Sequence, residues 1–241
     1  MAEVFIGTSG YAYRHWKGVF YPNKLPSSQW LAFYCEHFST VELNNPFYRL
    51  PSRDAFVRWK QGTPAGFTFA VKFSRFLTHV KRLKEPEGPL DRFYSRAGGL
   101  GSKLGPVLFQ LPPNFKPDLD RLRSLLMLRS KDQRWVLEFR NSEWFTDKVL
   151  DTLREYGASF CVHDATEGCP TAVTARLAYL RLHGTPTHDG NYDRRALRKW
   201  ARQIEEWLAH GIDVYAYFNN DVGGYAVANA KQLIEMASVA A

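Results

Sequence analysis

Short apolar segments alternate with longer amphipathic segments along the whole chain. Eight apolar runs have the length and composition of β-strands. They cover residues 4–7, 40–43, 67–72, 106–111, 135–139, 158–162, 177–182 and 212–218. Most are followed by a segment in which apolar residues recur every three or four positions, as Leu122, Leu125 and Leu126 do. This spacing predicts helices that pack through one face.

Polar residues indicate where several of these helices begin. A Ser, Thr or Asp at such a position can accept a hydrogen bond from a free backbone N–H of the first turn. The candidates are Ser27 or Ser28, Ser52, Asp118, Thr146 and Asp193. The stretch 166–175, between the sixth and seventh strands, has no helical spacing, so we expect an irregular or shortened helix there.

Strands that alternate with helices predict a parallel sheet. Eight such units in roughly 250 residues are the size of a closed barrel. We therefore predict an α/β fold, a single (β/α)8 TIM-type barrel of parallel strands over residues 1–241. The alternative is an open, doubly wound sheet, which is typically accompanied by a glycine-rich phosphate loop after the first strand. The sequence GTSGYAY at that place is neither GxGxxG nor a P-loop.

Alternation along the strands predicts which side chains point into the barrel. In the run WVLEFR, Glu138 and Arg140 lie on the face opposite Leu137 and Phe139. Most strands carry a polar residue in this way, near the C-terminal end where barrels of this type form their sites. The residues expected to meet there are Glu42, Asn44, Lys72, Gln110, Glu138, Arg140, Arg181, His183 and Asn219. Burying these groups is unfavourable unless they pair with each other or interact with a ligand. They therefore form either a functional site or a structural network.

The balance of charge in this set favours an anionic ligand. Three cations, Lys72, Arg140 and Arg181, outnumber the two carboxylates of Glu42 and Glu138. Two arginines suit bidentate binding of phosphate or carboxylate. The predicted ligand-binding residues are Ser9, Asn44, Lys72, His79, Gln110, Arg140, His163, Arg181, His183 and Asn219.

Two carboxylates at one site suggest acid and base roles, so Glu42 and Glu138 are the predicted catalytic residues. Glu–Arg pairs that only fix loops are the alternative. Metal binding is a rival use of Glu42, Glu138, His163, Asp164 and His183, whose residue types are suitable. Nearby Lys and Arg would compete for the carboxylates, and there is no HxH or HxxxH pair. We therefore expect no catalytic metal, and the sequence assigns no cofactor.

Composition and charge bear on the partners and the cellular location that we expect. The formal net charge is +8, and basic residues are concentrated at 75–84 and 194–202. This charge favours an anionic small molecule or nucleic acid as partner. The alternative is a solvated basic surface without a specific partner. No apolar run approaches the roughly 18 residues that span a bilayer. The segment MAEVFIGTSG lacks the features of a signal peptide, and the three cysteines form no CxxC. We expect a cytoplasmic protein with reduced thiols that does not bind membranes; the sequence does not define its oligomeric state.

Seven segments in order also resemble a known family. They are GTSGYAYRHWKGVFYP, TVELNNPFYRLP, FTFAVKFSRFLTH, LFQLPPNF, LEFRNSEW, YLRLHG and YFNND. They are similar to the YecE-like family, domain-of-unknown-function family 72, over nearly the whole chain. The resemblance implies a TIM-type barrel and leaves the activity unassigned. One departure is Tyr11, where the family usually has Trp.

Three functions remain open at this point. The first is binding of a phosphate-bearing ligand, nucleic acid or nucleotide, at the C-terminal strand ends, with hydrolase activity. The second is a sugar or sugar-phosphate isomerase or lyase. The third is a non-catalytic anion-binding protein that uses the same basic mouth. Aromatic loop residues such as Phe47 either stack on a ligand or pack loops against the barrel.

Overall fold

Eight parallel strands form one sheet in the computed structural model, which describes residues 2–184 and 189–238. The strands are β1 (Val4–Thr8), β2 (Thr40–Leu43), β3 (Thr68–Lys72), β4 (Leu104–Leu111), β5 (Trp135–Phe139), β6 (Ser159–His163), β7 (Leu177–Leu182) and β8 (Asp213–Phe218). Each pairs with the next in the chain from β2 to β8, and β8 pairs with β1. All of these pairings are parallel.

Strands β1 and β2 close the barrel through a short contact at their C-terminal ends. Ser9 and Glu42 form a parallel bridge, and the Gly10 N–H donates to the Glu42 carbonyl at 2.8 Å. Lower down, the buried Tyr34 hydroxyl links the two strands, accepting from the Thr8 N–H at 3.0 Å and donating to the Thr40 carbonyl at 3.1 Å. The prediction of a closed (β/α)8 barrel is therefore confirmed, and the open doubly wound sheet is wrong.

Helices connect most of the strands. They are α1 (Trp30–Cys35), α2 (Asn45–Tyr48), α3 (Arg53–Gln61), α4 (Glu87–Ala97), α5 (Leu119–Leu126), α6 (Asp147–Glu155), α7 (Arg194–Ala209) and α8 (Tyr225–Ser238). No helix follows β6, where residues 164–176 are turns and irregular chain, as the sequence predicted. Across the described ranges, no helix is both long and apolar enough to cross a membrane.

Four of the predicted helix caps are confirmed. The side chains of Ser52, Asp118, Thr146 and Asp193 each accept a backbone N–H bond of the helix that follows. The prediction for Ser27 or Ser28 is wrong, because 27–29 form a 3-10 turn and α1 begins at Trp30 without a side-chain cap. Sequence spacing does not distinguish such a turn from the first turn of a helix.

The barrel interior is apolar at mid-height and polar above it. Its buried lining includes Ala70, Leu108, Val136 and Cys161. Three tyrosines, Tyr179, Tyr215 and Tyr217, share this interior. Large aliphatic and aromatic side chains of the opposite strand faces form a separate core beneath the helices. The polar residues that lie two positions further along each strand are therefore placed above these packed side chains, which fill the barrel at mid-height.

Close approach of β1 to β2 depends on Gly7. A Cβ added at this position would lie 2.4 Å from the Thr40 carbonyl oxygen, so Gly7→Ala must push the two strands apart. We expect a loss of about 1–3 kcal/mol in the free energy of unfolding, typical of an overpacked core, measurable by urea denaturation. The control is Gly66→Ala, because nothing lies within 4 Å of a Cβ there. Equal effects of the two substitutions would contradict this role of Gly7.

Candidate functional site

Charged and polar side chains from different strands meet at the C-terminal end of the barrel, which we call the mouth. Arg181 on β7 lies at its centre and is 1% exposed. Its guanidinium contacts side chains from the ends of three other strands, β1, β2 and β5. The alternation expected from the sequence therefore holds for β2, β5 and β7.

The Arg181 guanidinium is held between two buried carboxylates. Nε donates to Glu42 Oε1 at 3.2 Å and Oε2 at 3.0 Å, and Nη2 donates to Glu42 Oε1 at 2.8 Å. Nη1 donates to Glu138 Oε2 at 2.7 Å. Nη2 also lies 3.2 Å from Ser9 Oγ. Such charge-assisted bonds are among the stronger ones in proteins, so Arg181 is fixed in one position.

Glu42 accepts further hydrogen bonds besides those from Arg181. The Tyr179 hydroxyl donates to Oε2 at 2.6 Å, and the Ser9 hydroxyl donates to Oε1. Asn44 Nδ2 donates to Ser9 Oγ at 2.6 Å. Burial favours the neutral acid, but the Arg181 charge and these donors outweigh it, so the pKa of Glu42 lies below its ordinary value.

Glu138 is enclosed in the same way. Gln110 Nε2 donates to Oε1 at 3.2 Å, and Arg140 Nε donates to the same oxygen. Although burial opposes ionisation, the charges of Arg181 and Arg140 hold the pKa of Glu138 well below its ordinary value. Both glutamates are fully buried and ionised at neutral pH. Their acid and base roles stay a prediction, and neither carries the proton that a general acid needs.

A second chain of contacts runs from Arg140 to the loops. Arg140 Nη2 donates to His183 Nε2 at 2.7 Å, which places the ring proton on Nδ1, 3.2 Å from Asp164 Oδ1. Asp164 also accepts from the His183 backbone N–H at 2.7 Å and from the Tyr192 hydroxyl. Burial raises the pKa of Asp164, but the bonds from His183 and Tyr192 lower it overall.

Lys72 differs from the two arginines because it has no anionic partner. Its side chain is 9% exposed, and Nζ lies 4.0 Å from the centre of the Phe47 ring. Within residues 2–184 and 189–238, Nζ forms no ion pair or hydrogen bond. Nζ is not one of the fully buried side-chain atoms that lack a hydrogen-bond partner in the described ranges, so it retains some contact with solvent. Burial and the charge of Arg181 lower the pKa of Lys72 to about 8.

The other predicted residues occupy the mouth or its rim. His79 follows β3 in a π-helical turn, Phe76–Val80, with its ring centre 5.0 Å from that of Phe47. Burial and the Lys72 charge lower its pKa to about 4. His163 on β6 donates from Nε2 to the Phe139 carbonyl at 3.0 Å. For Asn219 the structure gives a backbone bond, from its N–H to the Leu182 carbonyl at 2.6 Å.

The residues considered as metal ligands in the sequence are engaged in other bonds. Among the described residues, no group of three or more His, Cys, Asp or Glu side chains is placed to hold a metal ion. The five candidate ligands are instead bonded to arginines, tyrosines and backbone groups. Cys161 is fully buried, and burial holds its pKa well above the ordinary value, consistent with a structural thiol.

Two tyrosines were missed at the sequence level. Tyr179 donates to Glu42 and precedes Arg181 by two positions on β7, so strand alternation alone would have placed it on the interior face. Tyr192 bonds Asp164 and also accepts the Gly184 N–H at 2.8 Å. It lies in the connection between β7 and α7, where no strand periodicity applies.

Fold and mouth together define a class: a (β/α)8 barrel whose C-terminal strand ends carry a buried Arg–Glu network. Beside this network lies a lysine that has no carboxylate partner among the described residues. The chain belongs to the family described as protein of unknown function DUF72, which it matches over residues 5–241. It is 29% identical to the UPF0759 protein YunF of Bacillus subtilis in an alignment that covers 98% of this chain and 95% of that protein.

Solved structures agree with this assignment. A DUF72 family protein from Thermotoga maritima superposes with a TM-score of 0.86 at 30% identity, covering 98% of this chain and 99% of that one. A DUF72 family protein from Enterococcus faecalis gives a TM-score of 0.82 at 19% identity, covering 98% of this chain and 95% of that one. The expected resemblance and the barrel fold are therefore confirmed.

Proposed function

We propose that the mouth binds a phosphate-bearing ligand through Lys72 and Arg140, with His183 beside them. One observation carries this proposal. Among the residues that the structure describes, Lys72 is a buried cation without an anionic partner, at the end of a barrel where sites of this fold form. Burying an unpaired charge is unfavourable, and an anion in the mouth would compensate it.

The pairing of the other charges supports the same site. Arg181 is shared between Glu42 and Glu138, and Arg140 shares Glu138 with it. The two arginines are therefore engaged with the two glutamates, whereas Lys72 has no carboxylate partner among the described residues. Arg140 is 20% exposed, and within residues 2–184 and 189–238 only its Nε and Nη2 are engaged. Its remaining N–H groups and Lys72 Nζ suit the oxygens of a phosphate.

The local electrostatics agree with an anion site. Two groups of different type, Lys72 and His79, both have lowered pKa values for which burial and neighbouring cations are the causes. Burial is the largest cause for both groups, and the neighbouring cations Arg181, Lys72 and Arg75 add positive potential that also opposes protonation. A phosphate would relieve this potential and would itself be stabilised.

This site favours a small ligand over a polyanion, because most of its charges are already paired with each other. A hydrolytic reaction here would need a general acid other than Glu42 or Glu138, since arginines hold both ionised. The ligand-binding part of the proposal does not depend on that reaction.

Arg140→Gln tests the site directly. We expect the dissociation constant for inorganic phosphate, measured by isothermal titration calorimetry, to rise about 10–100-fold, as for the loss of a charged hydrogen bond of about 1.5–3 kcal/mol. Thermal unfolding of the variant checks that the barrel is intact. Lys131→Met is the matched control, because Lys131 is exposed in the loop before β5, at the opposite end of the barrel. Phosphate binding that Arg140→Gln leaves unchanged would refute the proposed site.

Salt dependence distinguishes a small anion from nucleic acid. Binding of a single-stranded or double-stranded oligonucleotide that uses many phosphate contacts would weaken steeply with salt, through counterion release. We expect no such tight, salt-sensitive binding at the mouth, and no competition between oligonucleotide and inorganic phosphate. Competition together with a steep salt dependence would replace the small ligand with nucleic acid.

A further inference from the structure

Resting on the anion site proposed above, we propose that the ligand is a phosphorylated hydroxy-aldehyde or hydroxy-ketone and that Lys72 Nζ condenses with its carbonyl carbon to form an imine. Lys72 then has a role beyond charge: it supplies the nucleophile, while Arg140 holds the phosphate. The inference names both a substrate class and a covalent step for the mouth.

The placement of Lys72 fits a nucleophilic amine. It extends from the end of β3 over the packed side chains that fill the barrel at mid-height, and its side chain is 9% exposed. No carboxylate pairs with Nζ among the described residues, so no ion pair has to break before the nitrogen attacks. Phe47 covers one side of the ammonium group at 4.0 Å and limits the access of water.

The same surroundings supply the reactive form of the amine. Burial and the adjacent Arg181 lower the pKa of Lys72 to about 8, so a substantial fraction is neutral near pH 7.5. An ordinary surface lysine has a pKa of about 10.4 and is almost fully protonated there. A desolvated lysine next to another cation is a recognised way to activate this nucleophile.

The condensation is balanced without an added reactant. The nitrogen lone pair forms the C–N bond while the carbonyl π electrons move to oxygen, and one N–H proton passes to that oxygen to give a carbinolamine. The C–O bond then breaks, the second N–H proton leaves with the hydroxyl as water, and the C=N bond forms. Hydrolysis reverses both steps and regenerates the free amine.

Two unpaired acceptors support a hydroxylated ligand. Asn44 Oδ1 and His163 Nδ1 are buried and have no hydrogen-bond partner among the described residues. Asn44 bonds Ser9 Oγ, which contacts Arg181, and the His163 ring centre lies 6.2 Å from that of His183. His163 Nε2 donates to a carbonyl, so Nδ1 is the accepting nitrogen. Both atoms accept hydrogen bonds and are closed off from solvent, so a hydroxyl group of a sugar phosphate can donate to them only once the side chains that cover them move aside.

Reductive trapping tests the covalent step. The full-length protein is incubated with glyceraldehyde 3-phosphate and sodium borohydride, which reduces an imine to a stable secondary amine, and the modified lysine is located by peptide mass spectrometry. We expect modification at Lys72 that rises with pH with a midpoint near pH 8 and that inorganic phosphate suppresses. Lys131→Met should be trapped like the wild type.

Lys72→Arg separates the two proposals, because it keeps the positive charge and removes the nucleophile. We expect this variant to give no trapped adduct above the background of surface lysines. Its affinity for inorganic phosphate is measured separately, because Lys72 also belongs to the anion site. Phosphate binding together with trapping that is spread over surface lysines would overturn the imine and leave the anion site intact. Equal trapping of Lys72 by glyceraldehyde and its phosphate, without phosphate binding, would overturn the anion site and the substrate class.

Discussion

Arg181→Met is expected to destabilise the fold by about 3–5 kcal/mol, the usual effect of removing one partner from a buried ion pair. Arg181 is 1% exposed and bonds the two fully buried carboxylates of Glu42 and Glu138. Without the guanidinium, Glu42 loses its ionic partner and Glu138 keeps only Arg140. Urea denaturation at neutral pH measures the loss in the free energy of unfolding.

The pH dependence of the same variant gives an independent check. In the wild type, Glu42 and Glu138 have folded pKa values below the ordinary 4.5. Their pairing therefore contributes stability above about pH 4.5, which is lost as the pH falls through the folded values. In Arg181→Met, burial raises the pKa of Glu42, so acid unfolding should begin at a higher pH.

A surface arginine provides the control for this experiment. Arg198→Met on the exposed side of α7 should change the free energy of unfolding by about 0.5 kcal/mol or less. If Arg181→Met were as mild as Arg198→Met, the Arg–Glu network would not be the structural centre of the mouth.

Lys72→Met is expected to stabilise the fold while it abolishes phosphate binding. The folded pKa of about 8 lies below the ordinary 10.5, so the folded protein disfavours the charged form. Removing the charge should raise the free energy of unfolding by about 1–3 kcal/mol at neutral pH, less what is lost with the cation–π contact to Phe47.

The direction of the Lys72 pKa shift determines the pH range over which Lys72→Met is more stable than the wild type. Below about pH 8 the lysine is protonated in both states, and its penalty in the folded state is complete. Between about pH 8 and 10.5 only the unfolded chain keeps the proton, so the wild type gains stability as the pH rises. The advantage of Lys72→Met should therefore shrink over this range and vanish above it.

Lys131→Met controls for the loss of a lysine far from the mouth, with no expected change in stability or binding. Thermal unfolding at pH 7 and pH 10 measures the change in stability, and titration with phosphate measures the loss of binding. A destabilised Lys72→Met variant that still bound phosphate would mean that Lys72 is a structural residue.

Strand alternation in the sequence was sufficient to find the mouth, because a closed parallel barrel brings the ends of all its strands to one face. It placed Arg181, Glu42 and Glu138 together correctly. It did not show how the charges pair: the sequence predicts Arg181 as one of several anion-binding cations, and the structure shows that it bonds both glutamates. Pairing depends on which strand ends face each other across the barrel, and the order of side chains along the sequence does not contain that information.

Residues outside the strands were harder to place for a related reason. Tyr192 enters the mouth from a connecting segment, and Phe47 covers Lys72 from α2. Their positions depend on how the connecting segments pack over the barrel, and the alternation of side chains along a strand does not determine that packing. The helix caps at Ser52, Asp118, Thr146 and Asp193 depend only on local geometry, and these were predicted correctly.

The charge state of Lys72 is the point on which the anion site and the imine both depend. An NMR titration of the protein carrying 13C-labelled lysine, with Lys72 assigned through Lys72→Arg, measures its pKa with and without inorganic phosphate. The account predicts a pKa near 8 that rises when phosphate binds, since a bound anion favours the ammonium form. A pKa near the ordinary 10.5, unchanged by phosphate, would contradict it.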